Sequence, residues 1–461
     1  MLIAVKLNLA DRLADYAYRL SYRDLDSKVV SEAKKRIVDA LGCATGAFDE
    51  DPIRISRKVA SSIPSAGTST ILGTKTKTTP DLATFVNGLM IRYFDFNDTY
   101  LSKEPAHPSD NIGATLSVAE SVGATGKDLI LSTIIAYEIQ CRLCDSADLR
   151  HRGWDHVCYG LVSSALGAGK LLKLDRDQLI QAVNIALNAH IAMRQVRAGE
   201  LSMWKGASFS NAARNAVFSA MLAKEGMKGP SPIFEGEMGF FKQVSGPFKL
   251  DVEGFGGRRG SFKLIDTYLK YWPVEYHAQT AVWAAKELKK RVGDARKIKS
   301  ILVQTHEAGY NILAKDKEKW RPSTKETADH SLPFIVGMAL LEGKIDNSTY
   351  EDANLRDPEI LKFVRKVKVM ENRKLTAMYP GRGMPNRVTV EMNEGRTETA
   401  EVTVPRGHSA NPMSIEEVEA KFYGLTRERL GEEGAKRAIG QLWDLEEIED
   451  IGAMVSLFKA Q

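Results

Sequence analysis

Apolar residues recur at a helical period through most of the first 250 positions. Leu82, Phe85, Val86, Leu89, Met90 and Tyr93 mark one face of a helix. Thr79-Pro80-Asp81 starts it with a hydroxyl cap, a proline whose missing N–H costs nothing there, and an acid in the first turn. Lys127-Asp128 opens a second helix through Ile130, Ile134, Ile135 and Ile139. Residues 112–122 and 175–192 predict two more. Small residues, among them Ser163, Ser164, Ala165, Gly167 and Gly169, let such helices approach closely in a buried bundle. Beyond the glycines at 254, 256, 257 and 260 the texture changes. Residues 298–305 are short and β-branched. Residues 363–370 alternate Val367 and Val369 with Lys366 and Lys368. Residues 387–392 and 396–404 flank Asn393-Glu394-Gly395 as a hairpin. Helices at 279–290 and 332–341 lie among these strands. Ser414-x-x-Glu417 is a capping box that returns the chain to helix, and a helical tail is predicted over 433–458.

The expected class is mainly α with an α+β part. A discontinuous helical domain (residues 1–266 with 409–461) carries an inserted α+β lid (267–408). A chain of 461 residues is long for one core, which agrees with two. Lys plus Arg is 64 and Asp plus Glu 59, a net +5 with no basic block, so no nucleic-acid footprint is expected. The best apolar run, 129–139, is broken by Ser132, Thr133 and Glu138, so no membrane span is expected. Lys6, Asp11, Arg12 and Asp15 leave no signal-peptide core, and four cysteines give no disulfide framework. The expected compartment is the reducing cytoplasm.

Histidine is scarce, with eight in the chain, and most lie in polar segments between helices. Residues 94–111 pack Asp95, Asp98, Thr99, His107, Ser109 and Asp110 between two apolar helices. Asp95 and Thr99 would share a face if the preceding helix continued that far, and the helix start near Ser109 could offer free N–H groups to a carboxylate. By composition alone this segment reads equally as a site or as a capped loop. Arg194, Arg197 and Lys205 flank glycines and Trp204, which suits anion recognition. Further polar clusters are 270–277, 305–308 and 328–333. Gly126-Lys127 lacks the first glycine and the hydroxyl of a P-loop. Cys141-x-x-Cys144 lies in an apolar helix with no ligand set of metal-binding spacing after it.

Taken in order, these segments resemble the MmgE/PrpD family. The likeness rests on residues 94–99 followed by His107-Pro108-Ser109-Asp110-Asn111. It extends through residues 33–42, Trp154-Asp155-His156, Trp204-Lys205-Gly206, Tyr276-His277-Ala278-Gln279-Thr280, Thr305-His306-Glu307-Ala308 and Asp329-His330-Ser331. Lys103-Glu104 before His107, and Pro273-Val274-Glu275 before Tyr276, resemble the branch that dehydrates 2-methylcitrate. The resemblance implies a helical domain with an inserted α+β lid, no cofactor, no metal and a homodimer. It implies removal of water from 2-methylcitrate or citrate, within propionate breakdown. Decarboxylation of cis-aconitate, epimerisation of a dicarboxylate, or tricarboxylate binding without catalysis are its alternatives.

Carried over residue by residue, the pocket implied would use Asp95, Thr99, His107, Lys205, Lys270 and His277. His107 would be the central acid/base, with Asp95 and Thr99 orienting it or the leaving hydroxyl. Lys270 and His277 would neutralise enolate-like charge. A tricarboxylate carries about −3 near neutral pH, since carboxyl pKa values lie near 4. Lys205, Arg194, Arg197 and the helix start at Ser109 would balance that charge. Which group is acid and which is base does not follow from sequence. One departure stands out. Members often carry Tyr four residues after the His of the His-Ser motif, and here that position is Phe334.

Overall fold

The computed structural model describes residues 7–459. Its buried apolar side chains form two clusters. One runs from Leu9 to Leu269 and resumes from Met413 to Phe458. The other runs from Trp272 to Ala400.

The first cluster is built from helices that are buried on almost every side. Ile112–Ser121, Gly126–Ser146 and Val157–Leu171 stand at its centre. Helices this apolar belong in the interior of a large bundle. Close approach needs small residues. Gly88 of helix Pro80–Arg92 lies directly against Gly113, where a Cβ would stand 2.7 Å from the Gly88 Cα. Caps set the helix starts. Thr125 and Asp128 form a capping box two residues before the predicted opening at Lys127, and Asp175 and Gln178 form another. That second helix ends at Ala189 rather than at 192.

The second cluster packs helices Gln279–Val292 and Leu332–Glu342 around a four-stranded sheet. The strand order is Val367–Glu371, Ile298–Thr305, Asn386–Met392 and Thr397–Val402. The first pair is parallel, and the two pairs that follow are antiparallel. The expected hairpin turns at Gly395, which adopts φ +87°. The strand expected from 363 begins only at Val367. Asp357 caps helix Pro358–Val364, whose Phe363 and Val364 fill the core.

Ser414 and Glu417 cap the returning helix reciprocally, as expected. Gly431, at φ +67°, breaks it into two, and 3-10 and α turns follow at Leu445–Glu447 and Ile451–Ser456 in place of a continuous tail. Lys421 on this helix pairs with buried Asp39 at 2.6 Å. The same ammonium donates to the carbonyls of Phe96 and Lys270, at 2.6 and 2.9 Å. The returning segment thus grips both strands of chain that carry site residues.

The chain crosses between the clusters twice, and the crossings touch. Leu269 N donates to Gly407 O at 3.0 Å. The Tyr268 ring stacks between Tyr276 and His408, with centroids at 5.3 and 4.3 Å. Gly407 has φ +94°, and a Cβ there would stand 1.9 Å from Leu269 O. Gly407→Ala therefore meets both a strained backbone and a clash. We expect a loss of at least about 1–3 kcal/mol in urea unfolding. An unchanged unfolding midpoint would show that the crossings are not locked together.

Candidate active site

Helix Pro80–Arg92 stops short of the polar segment, so Asp95 and Thr99 do not share a helical face. Asp95 instead adopts φ +50° in a tight turn that directs its side chain into the interior. Thr99 and Tyr268 exchange two backbone hydrogen bonds of 2.8 Å, which lay the first crossing against this segment. That bridge brings Lys270 to Asp95, 175 positions away in sequence. Lys270 Nζ donates to Asp95 O at 2.8 Å and lies 3.1 Å from Oδ2.

Asp95 is the centre of a buried charge cluster. Arg92 binds its Oδ1, and Lys205 Nζ lies 3.9 Å from Oδ2. Burial by itself raises the carboxyl pKa. Arg92, Lys205 and Lys270 together overcome it and hold Asp95 well below the usual carboxylate range. Lys205 also reaches Asp329 Oδ1 at 3.1 Å and His330 Nδ1 at 3.2 Å. Asp95, Asp329 and His330 could be read as a metal triad, their donor atoms lying within 4.8 Å of one another. The Lys205 ammonium already stands among those three donors.

His107 is fixed by two contacts. Its Nδ1 lies 2.7 Å from Asp98 O, a pure acceptor, so the ring proton sits on Nδ1. Nε2 is then the unprotonated nitrogen, and Arg92 Nη2 donates to it at 3.0 Å. Burial first, then Arg92 and Lys270, push the His107 pKa well below 6.5. His156 packs edge-on to it at 5.9 Å. His156 Nε2 accepts from Arg197, whose Nε also holds buried Asp155 at 3.1 Å. Across the cavity, His277 Nδ1 lies 2.8 Å from Glu275 Oε1 and Nε2 lies 3.1 Å from the Tyr379 hydroxyl. The Tyr379 ring stacks on His306 at 4.2 Å. Burial raises the Glu275 carboxyl, but His277 leads a larger opposing pull that leaves it at about 2.

These groups surround a cavity of about 200 Å³ between the two clusters. That is below the roughly 300–1,000 Å³ of drug-sized ligand sites. Arg92, Arg194, Arg197, Lys205, Lys270 and Lys319 line it, against the carboxylates Asp95, Glu275 and Asp316. Asp155 and Asp329, just behind the lining, neutralise part of that excess through Arg197 and Lys205. His107, His156, His277 and His330 complete its polar wall.

Of the residues singled out in the sequence, Asp95, Thr99, His107, Lys205, Lys270, His277, Arg194 and Arg197 all line this cavity. Ser109 does not. Its N–H and hydroxyl both donate to buried Asp98, at 2.9 and 2.6 Å, so the turn's donors are already occupied. Ser109 thus supports the loop through Asp98 and lies outside the cavity lining. Phe334 is buried in the second core beside Tyr350. Arg92, Lys319 and Tyr379 emerge only from the structure. Arg92 lies in the last turn of an apolar helix, and its sequence neighbours carry no cue to its partners.

Two apolar cores enclose a cationic, histidine-lined cavity. The MmgE/PrpD N-terminal domain matches residues 11–253 and the MmgE/PrpD C-terminal domain matches residues 272–445, and the chain belongs to this family. It is 30% identical over 416 residues to a 2-methylcitrate dehydratase of Escherichia coli (strain K12), covering 85% of this chain and 84% of that protein. A 2-methylcitrate dehydratase of Cupriavidus necator is 30% identical over 423 residues, covering 86% and 85%. An alkylcitrate dehydratase from a fungal species is 28% identical over 448 residues, covering 88% and 85%.

The buried histidines make stability depend on pH. Burial leads the fall of His156 from 6.5 to about 3, and of His330 to about 4. Below pH 6.5 the unfolded chain binds protons at these positions and the folded chain does not. Stability is therefore lost as pH falls through this window. Between pH 6.5 and 5 each of the two contributes a loss of about 2 kcal/mol, at 1.36 kcal/mol per unit. Urea unfolding at pH 7 and pH 5 measures it, and equal stability at both would contradict the buried neutral assignment.

Proposed function

We propose that this enzyme is a carbon–oxygen lyase that eliminates water from a hydroxytricarboxylate, 2-methylcitrate or citrate, without a metal or organic cofactor. The observation that carries the reading is the cationic wall of the cavity: six Lys and Arg side chains around about 200 Å³, beside an imidazole whose Nε2 is unprotonated. A substrate of about −3 charge would be held by them. The curated relatives are dehydratases of 2-methylcitrate and alkylcitrates, which supports the same reaction class. The α+β unit of about 267–408 would close over the helical unit as a lid, and the working protein would be a homodimer.

In this reading His107 Nε2 is the base. Arg92 occupies its lone pair, and burial, followed by Arg92 and Lys270, suppresses its basicity. A bound trianion would oppose the part due to the cations: a carboxylate would draw Arg92 away, and its negative charge would favour the imidazolium. His107 would then take the proton from the carbon beside a carboxylate. Lys270 and Lys205 would stabilise the enolate-like charge, with Asp95 keeping both ammonium groups in place. The electron pair of the broken C–H bond would form the alkene as the C–O bond breaks. His277, braced by Glu275, would protonate the departing hydroxide to water. Thr99 would orient the hydroxyl group, and Arg194 and Arg197 would hold a carboxylate.

Purified, chelator-treated protein should convert 2-methylcitrate to an alkene absorbing in the far ultraviolet. His107→Ala should lower kcat by about 10²–10⁴-fold while remaining folded. Near-full activity in that variant would remove His107 from the chemistry. Release of carbon dioxide from cis-aconitate, or solvent proton exchange without loss of water, would replace dehydration by decarboxylation or epimerisation.

A further inference from the structure

Three lysines are nearly fully buried: Lys205, Lys270 and Lys319. Lys205 and Lys270 are each matched to carboxylates, as described above. Lys319 is not. It is 3% exposed, it lines the cavity, and among the described residues its ammonium makes no hydrogen bond or ion pair. A buried, unpaired cation is costly, because taking it out of water is not offset by a partner. Burial accordingly pushes its pKa down and Lys205 pushes it further, against the weaker pull of Asp329, Asp316 and Glu275.

The position is also distinctive. Lys319 lies in the 3-10 turn Lys317–Trp320 of the second cluster. Arg92, Arg194, Arg197 and Lys205 belong to the helical part. The turn is held in place. The Ser331 hydroxyl, which also caps helix Leu332–Glu342, donates to the Lys319 carbonyl. An exposed lysine could swing away into water; this one is enclosed in the cavity wall.

We propose that Lys319 is the subsite for one carboxylate of the substrate, the one contacted from the α+β side. It is a specificity determinant that counts carboxylates, separating tricarboxylates from dicarboxylates. A tricarboxylate would satisfy the helical cations with two groups and Lys319 with the third, and so tie the two units together. A dicarboxylate would leave Lys319 unpaired. This inference rests on the proposed tricarboxylate substrate, but it can be read without turnover.

The probe is propane-1,2,3-tricarboxylate, which has no hydroxyl to lose, compared with glutarate, which lacks the central carboxylate. Binding is measured by calorimetry. Lys319→Met should weaken the tricarboxylate by about 10–100-fold, the worth of a hydrogen-bonded charge pair of about 1.5–3 kcal/mol. Glutarate should bind the variant and the parent alike. Lys319→Arg should recover part of the tricarboxylate affinity. In the absence of ligand, Lys319→Met should melt at the same temperature or higher, since it removes an unpaired buried charge. A structural lysine would show the opposite, and a lowered melting temperature overturns the proposal. Unchanged tricarboxylate affinity also overturns it, even if 2-methylcitrate is dehydrated. If no hydroxytricarboxylate is turned over but the binding pattern holds, the dehydratase reading falls and the subsite stands.

Discussion

The buried carboxylate of Asp95 is the constraint on which the site depends. Arg92, Lys205 and Lys270 cannot be enclosed together in a small volume unless something neutralises part of their charge. Asp95 does so by pairing directly with Arg92 and Lys270 and lying beside Lys205. The result is a cluster whose geometry is set before any ligand arrives. Preorganised charges of this kind need little rearrangement when a reaction develops negative charge. The same pairing joins distant parts of the chain, since Arg92, Lys205 and Lys270 come from a helix end, a helix start and a crossing between the two cores.

The rest of the architecture holds those parts in register. The Thr99–Tyr268 backbone bridge sets Lys270 against Asp95. Lys421, from the segment that returns after the α+β unit, ties down the carbonyls of Phe96 and Lys270 while neutralising Asp39. The two crossings meet at Leu269 and Gly407, so entry to and exit from the second unit occur at one place. The second unit brings His277, Lys319 and His330 to the cavity wall from that one junction.

Much of this was legible in the sequence where the signal was local. Helix periods, the Ser414–Glu417 box and the Asn393-Glu394-Gly395 hairpin all report interactions between residues a few positions apart. Errors arose where a tertiary contact decided the outcome. Residues 363–366 look like strand, yet Phe363 and Val364 are drawn into the core as the end of a helix. Ser109 looks like an open helix start, yet Asp98, 11 positions earlier, takes both of its donors. The six residues carried over from the family likeness all line one cavity. Arg92, Lys319 and Tyr379 gave no signal, because nothing in their neighbours reveals what stands opposite them.

By itself the sequence determined the kinds of elements, their order, and the family to which the chain belongs. Those follow from periodicity, capping chemistry and ordered motifs, all properties of short stretches. Only the tertiary structure decided which charges are paired and which are left free. Asp95 and Lys270 are 175 positions apart, and Lys205 and Asp329 are 124 apart. Whether a lysine is neutralised depends on the few ångströms around its ammonium group after folding. That distance separates matched Lys205 and Lys270 from unmatched Lys319, and no linear pattern records it.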